Sequence, residues 1–250
     1  MTTAVVPAAG TGARLKESLL NSGIAAHPVR DYLSSDPNCP KALLPLNDRP
    51  VLWWTLQSLA SVVHIGHLII AAPEGYEEAV RSVAQEIHRP QLFQVITGGA
   101  TRQESVARCL HFLPEETRWI VVHDGVRPFV TPRIVASVWL AAQMWGAATA
   151  AVPCTDTMKE SFDGIWIRRT VDRKSLWAVQ TPQVFARYLL VRAHHLGREK
   201  GWRTSDDAAL VEKMGIPVRL VPSDPWNIKL TTLSDFTVAD ALIRLQKVPP

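Results

Sequence analysis

The chain has 250 residues, of which 47% are hydrophobic and 20% charged, enough apolar material for a sizeable core and too little charge for a disordered polyelectrolyte. At roughly 150 residues per domain it is long for one unit, but α/β folds often use such a length in a single unit, so 1–250 is read as a single domain. Twenty-seven Lys and Arg against 23 Asp and Glu leave a net charge of +4; without a dense basic run this does not suggest a nucleic-acid binder and suits a few cations focused on a small anionic ligand. Three cysteines, Cys39, Cys109 and Cys154, form no CxxC pair and no His/Cys cluster, which argues against a disulfide framework or structural zinc. They point instead to a reducing, cytoplasmic setting. The N-terminal Met-Thr-Thr-Ala-Val-Val-Pro has no basic region ahead of its apolar residues, so no signal peptide is expected.

In chain order, β-branched runs alternate with helical patterns. Ala4–Val6, Leu68–Ile70, Phe93–Ile96, Trp119–Val122 and Ala147–Val152 read as strands. Between them Val51–Val62, Glu77–Ile87, Thr101–Phe112 and Pro132–Trp145 carry apolar residues at helical spacing, with Trp53, Trp54 and Trp139 as core residues. The alternation predicts a Rossmann-like α/β fold, a mostly parallel sheet with helices on both faces. Ligands of such sheets sit beyond the carboxyl ends of the strands, so the motifs after Val6, Ile96 and Val122 are expected to share one crevice. The uncharged stretch from Ile134 to Cys154 is interrupted by Ser137, Gln143, Gly146 and Thr149. It reads as a buried helix, a glycine turn and a core strand, and no membrane span is expected. Residues Lys16 to Asn38, with Gly23, Pro28 and Pro37, form a long polar loop insertion with room for a short helix. After Pro153 the rhythm changes. Ile165–Ile167 and Leu176–Val179 read as extended pieces of a projecting β-arm spanning about 154–182, and helical patterns return at Ala186–Arg198, Asp206–Met214 and Ser234–Leu245.

The first strand runs into Pro7-Ala8-Ala9-Gly10-Thr11-Gly12-Ala13-Arg14. Small residues let backbone N–H groups approach an anion closely, and a nest of such amides binds phosphate. A plain tight turn would look the same. No Gly-Lys-Ser/Thr follows, so this is not a Walker loop, and a third dinucleotide-fingerprint glycine would fall at Leu15. Asp124 follows a strand, and a carboxylate beside phosphates would only repel them unless a cation bridged the two, which supports Asp124 as a ligand of Mg²⁺ or a similar divalent cation. Its neighbour His123 is read as a structural residue. Arg127 could pair with Asp124 or with phosphate. Ser205-Asp206-Asp207 reads as a helix cap.

Taken together, Ala8-Ala9-Gly10-Thr-Gly-Ala-Arg14 and Pro40-Lys41 resemble the signature of nucleotidyltransferases that activate sugar or polyol phosphates. The blocks Gly98-Gly99-Ala100-Thr101-Arg102-Gln103-Glu104-Ser105, His123-Asp124-Gly125-Val126-Arg127-Pro128, Asp156-Thr157-Met158-Lys159, Thr170–Arg173, Gln180–Gln183, Ser205–Ala208 and Asn227-Ile228-Lys229 follow in order. As a set they resemble the 2-C-methyl-D-erythritol 4-phosphate cytidylyltransferases of the non-mevalonate isoprenoid pathway.

The resemblance implies in-line attack of a polyol phosphate on the α-phosphorus of CTP, with Arg14, Lys41 and Lys229 as the catalytic cations. It implies nucleotide contacts from Pro7, Ala8, Ala9, Gly10, Gly12, Gly99, Ser105 and Asp124, and polyol-phosphate contacts from Thr157, Arg173 and Thr181, with Arg127 beside them. It also implies a homodimer in which the arm reaches toward the partner's site. A ribitol 5-phosphate cytidylyltransferase and a silent nucleotide-binding homologue are the competing readings. Arg14 and Lys41 stand much farther apart than the family's short loop would put them, and the length and polarity of 16–38 predict a mobile lid over the triphosphate.

Overall fold

The computed structural model describes residues 1–10, 12–21, 27–89 and 92–245; Thr11, Gly23 and the last five residues of the expected domain lie outside them. The chain runs β1 (Thr2–Pro7), α1 (Ala13–Asn21), α2 (Pro28–Ser35), a 3₁₀ turn at Lys41–Leu43, β2 (Pro45–Leu46), β3 (Arg49–Pro50) and α3 (Val51–Ala60). It continues through β4 (Ile65–Ala72), α4 (Glu77–Gln85), β5 (Phe93–Thr97), α5 (Arg102–Leu110), β6 (Trp119–Val122), α6 (Pro132–Trp145) and β7 (Ala147–Pro153). Then come β8 (Met158–Glu160), β9 (Arg169–Val171), β10 (Trp177–Ala186), α7 (Arg187–Glu199), α8 (Asp207–Glu212), β11 (Arg219–Pro222) and α9 (Leu233–Arg244). Seven strands form one sheet in the order β11-β7-β10-β6-β1-β4-β5. All its pairings are parallel except those of β10, which runs antiparallel between β6 and β7.

The two-residue period of the strands divides the core. Ala4, Val6, Leu68, Ile70 and Val121 belong to one buried cluster together with α3, α6 and α9 residues such as Leu56, Val138 and Phe236. Val5, Ile69, Ile120 and Val122 point the other way, into a cluster with Val106, Leu190 and Leu210 from α5, α7 and α8. A strand buried on both faces cannot alternate with polar residues, which is why these segments are continuous apolar runs. The uncharged stretch resolves as expected: Thr131 caps α6 by accepting from the Ile134 N–H at 3.2 Å, Gly146 turns at φ 83°, and β7 enters the sheet. No helix among the described residues is long and apolar enough to cross a membrane.

Two expectations are corrected here. The segment read as a polar loop with room for a short helix carries most of α1 and all of α2, and its described parts pack on the rest of the chain. Leu15 and Val29 are fully buried, the Ser18 hydroxyl accepts from the Leu233 N–H at 3.0 Å on α9, and the Tyr76 hydroxyl donates to Asp36 at 3.3 Å. The second correction concerns the arm. Residues 165–167 form no strand, and Leu176–Val179 leads into β10 of the main sheet, where Trp177 pairs with Pro153 and Val179 with Ala151. Within the expected arm, β8 and β9 alone form a separate antiparallel ladder, pairing Met158 with Val171 and Glu160 with Arg169.

Candidate active site

The loops after β1, β5 and β6 meet at one end of the sheet, as the alternation predicted, around a cavity of about 500 Å³. Its floor is Pro7, Ala8, Ala9, Gly10 and Gly12, and Ser105, Asp124 and Ser205 complete its wall. Arg14, Lys41, Arg102 and Lys229 all line it. Gly12 takes φ 70°, a left-handed turn that glycine adopts without penalty, and its carbonyl accepts from the Leu15 and Lys16 N–H groups to begin α1. The N-terminus of α1 therefore opens on the cavity, where its dipole favours an anion. A side chain at Gly98 would put a Cβ 2.5 Å from that of Ala9; glycine alone lets the β5 loop close against the β1 loop. Ser105, almost fully buried, locks this contact: its hydroxyl donates to the Thr101 carbonyl at 2.9 Å and accepts from the Gly99 N–H at 3.0 Å. Gly99 itself lines an adjoining cavity rather than this one.

Each cation arrives from a different element. Arg14 lies exposed in the first turn of α1. Lys41 is 8% exposed in the 3₁₀ turn; burial, with Lys229 and Arg14 nearby, lowers its pKa from 10.5 to about 8. Lys229 belongs to a segment without regular structure. It is held there because the Leu230 N–H donates to the Val126 carbonyl at 2.9 Å and Asp235 caps α9 just beyond, accepting from the Thr231 and Thr232 N–H groups at 2.7 Å.

Asp124 is the hub. Its Oδ1 accepts from Arg102 Nε at 2.8 Å and its Oδ2 lies 2.7 Å from Lys229 Nζ, with Arg127 Nε at 3.9 Å. Burial opposes its charge, but Arg102, Lys229 and Arg127 outweigh burial and hold the carboxyl far below the usual carboxylate range. It is the only carboxylate lining the cavity among the described residues, and no described group of three or more His, Cys, Asp or Glu could cage a metal. Such a donor set fits a divalent ion held mainly by phosphate oxygens and water. A carboxylate offers about four lone-pair positions, and two of these are taken.

Several expected ligand contacts lie elsewhere. Thr181, 4% exposed, sits behind Asp124 instead of facing the cavity. Its hydroxyl accepts from the Asp124 N–H at 3.0 Å and bonds His123 Nδ1 at 3.1 Å, while His123 Nε2 lies 3.1 Å from the Arg127 carbonyl. One arrangement satisfies the chain: Thr181 donates to Nδ1, and Nε2–H donates to the carbonyl. The histidine is then neutral, in keeping with burial that lowers its pKa to about 4 and with its reading as a structural residue. Arg127 also stays out of the cavity, its guanidinium donating to the Asn227 carbonyl at 2.7 Å. Thr157 and Arg173 lie exposed beside the β8–β9 hairpin, Arg173 donating to the Thr155 carbonyl. Thr181→Val is expected to leave a buried N–H unpaired at a cost of about 1–3 kcal/mol, read as a Tm several degrees lower by thermal denaturation; an unchanged Tm would contradict this role.

The residue that sequence reasoning passed over is Arg102, which bridges Asp124 and, through Nη1 at 2.7 Å, the buried Asp207. Its only trace in the sequence is its place inside the Gly-Gly block. Within Ser205-Asp206-Asp207, read as a helix cap, Asp206 caps α8, accepting from the Ala209 N–H at 3.2 Å.

The family model described as IspD: 2-C-methyl-D-erythritol 4-phosphate cytidylyltransferase matches residues 34–245. The 2-C-methyl-D-erythritol 4-phosphate cytidylyltransferase of Microcystis aeruginosa is 37% identical, across 96% of this chain and 97% of its own length. That of Symbiobacterium thermophilum is 38% identical, across 96% and 91%. The crystal structure of the Thermus thermophilus protein of the same name gives a TM-score of 0.71 at 37% identity, covering 82% of this chain and 94% of that one. The 4-diphosphocytidyl-2C-methyl-D-erythritol synthase of Anaerococcus prevotii, at 23% identity, shares the fold with a TM-score of 0.79 over 98% of both chains. On the matched length and identity together, the chain belongs to the 2-C-methyl-D-erythritol 4-phosphate cytidylyltransferase family.

Proposed function

We infer that the protein transfers the cytidylyl group of CTP to 2-C-methyl-D-erythritol 4-phosphate, giving 4-diphosphocytidyl-2-C-methyl-D-erythritol and pyrophosphate. An oxygen of the 4-phosphate bonds to the α-phosphorus as the bond from that phosphorus to the β-phosphate bridging oxygen breaks. The observation that carries this reading is that Arg14, Lys41 and Lys229 line one shared cavity around the glycine turn, in a chain of this family. Two polyanions must be held together against their repulsion, so the protein's work is positioning and charge stabilisation rather than covalent chemistry. The turn amides and the α1 N-terminus receive the triphosphate, Lys41 and Arg14 grip its oxygens, and Lys229 stabilises charge on the reacting phosphoryl group. The backbone of Ala8, Ala9 and the Gly99–Ser105 stretch faces the base. Asp124 would hold Mg²⁺ together with phosphate oxygens and water, and the bound ion would offset triphosphate charge.

The second substrate's phosphate is assigned to Arg173 and Thr157, reaching the site of a second copy in a homodimer. Phe162, Ile165, Trp166 and Ile167, the apolar residues between β8 and β9, are between 65% and 81% exposed, which supports their burial against a partner. The unpaired cysteines are in keeping with a cytoplasmic enzyme. Arg173→Ala is expected to raise KM for the polyol phosphate about 10–100-fold, the worth of a charged hydrogen bond, and to leave KM for CTP unchanged. An effect confined to CTP would overturn the assignment.

The reading is tested by pyrophosphate release from CTP with a panel of polyol phosphates. Turnover with methylerythritol phosphate well above that with ribitol 5-phosphate is expected; turnover with ribitol 5-phosphate alone, or none, would contradict it.

A further inference from the structure

Lys229 has no helix or strand to fix it, so its ammonium is placed by its segment's backbone bonds and by the 2.7 Å contact to Asp124 Oδ2. That contact is available because Oδ1 is already occupied by Arg102 Nε at 2.8 Å. The guanidinium is in turn fixed from behind, where Nη1 meets Asp207 Oδ2 at 2.7 Å. Asp207 is 1% exposed and is pinned by His194 Nε2 at 2.8 Å on its other oxygen, while its N–H donates to Gln183 Oε1 at 3.1 Å. The rigid fork of one guanidinium spans both carboxylates, which a lysine's point charge cannot do.

We propose that Arg102, locked by Asp207, is a positioning residue for the reaction: by claiming one oxygen of Asp124 it leaves the other to Lys229 and so sets where that ammonium meets the phosphoryl group. The proposal rests on the function inferred above. Because α5 carries Arg102 and α8 carries Asp207, it ties the site to packing on the far face of the sheet. A purely structural Arg102 would serve only to neutralise the buried Asp207, and the two roles separate in a double variant.

Arg102→Gln takes the guanidinium from the buried Asp207 and leaves it only His194 as a side-chain partner, so the single variant is expected to lose both stability and turnover. In Arg102→Gln/Asp207→Asn the buried charge is gone while the hydrogen-bonding shapes remain. Its Tm is expected to return toward the parent's while kcat stays roughly 10–100-fold low, the usual effect of removing an outer-sphere partner, with KM for CTP changed less than about threefold. Recovery of kcat along with Tm would overturn the proposal, as would full turnover by Arg102→Lys, which keeps the charge and loses the fork. Should the double variant fail to fold, Arg102→Lys decides the matter by itself. Parent enzyme assayed alongside keeps the two readings apart: an inactive parent refutes the inferred function, whereas an active parent with an active double variant refutes only the positioning role.

Discussion

Lys229→Ala is expected to lower kcat roughly 10²–10³-fold, the penalty for removing one preorganised charge from a transition state, while CTP affinity falls much less. The reason lies in what the ammonium touches before substrate arrives. In the resting site it pairs with Asp124, a carboxylate whose charge Arg102 and Arg127 also help to balance. Its distinctive contribution is to the charge that develops as the α-phosphorus is attacked, and such an interaction is felt in kcat. Lys229 is about one-third exposed, so the variant is expected to fold. Full turnover with weakened CTP binding would mean that Lys229 serves only to hold the nucleotide.

The second large effect is a pH dependence centred on Lys41. Its pKa near 8 means the free enzyme carries the full cation below pH 8 and loses it above. Association with CTP is therefore expected to weaken as pH rises through 8, and triphosphate, which favours the charged form, should draw a proton onto the protein on binding near that pH. Lys41→Arg, always charged, is expected to abolish the alkaline limb of kcat/KM for CTP. An alkaline limb that persists unchanged in this variant would assign the titration to another group.

The same depressed pKa has the opposite sign for stability. The unfolded lysine titrates near 10.5, so between pH 8 and 10.5 the unfolded chain binds more protons and stability rises with pH; below pH 8 the penalty of burying the charge is present in full. A shift from 10.5 to about 8 corresponds to about 3 kcal/mol. Lys41→Met should accordingly raise Tm at pH 7 while destroying turnover, a stability–activity trade-off.

β1, β4, β5, β6 and β7 were legible because each is a short, largely apolar run beside turn residues, whereas β11 (Arg219–Pro222), short and mostly exposed, was not read as a strand. β10 was harder to read. Trp177–Ala186 includes Gln180, Thr181, Pro182 and Gln183, and its place between β6 and β7 depends on partners distant in sequence. The insertion, read with room for one short helix, carries two, and α1 escaped notice because it starts directly on the glycine turn, with only Leu15 and Leu19 to mark its apolar spacing. In the site, residues named for contacts close to their own motif, such as the turn and Lys41, stand where expected. Thr181 and Arg127 do not, since a hydroxyl or guanidinium suited to phosphate is equally suited to a buried carbonyl or N–H. Arg102 was overlooked because its meaning lies in Asp207, which only the folded chain brings within reach.

The structure of this protein bound to CTP tests the account most directly. Arg14, Lys41 and Lys229 are all expected within hydrogen-bonding distance of phosphate oxygens, with Lys229 on the α-phosphate. A complex with the triphosphate seated away from the glycine turn, or with Lys229 still bound to Asp124 and touching no phosphate, would contradict it.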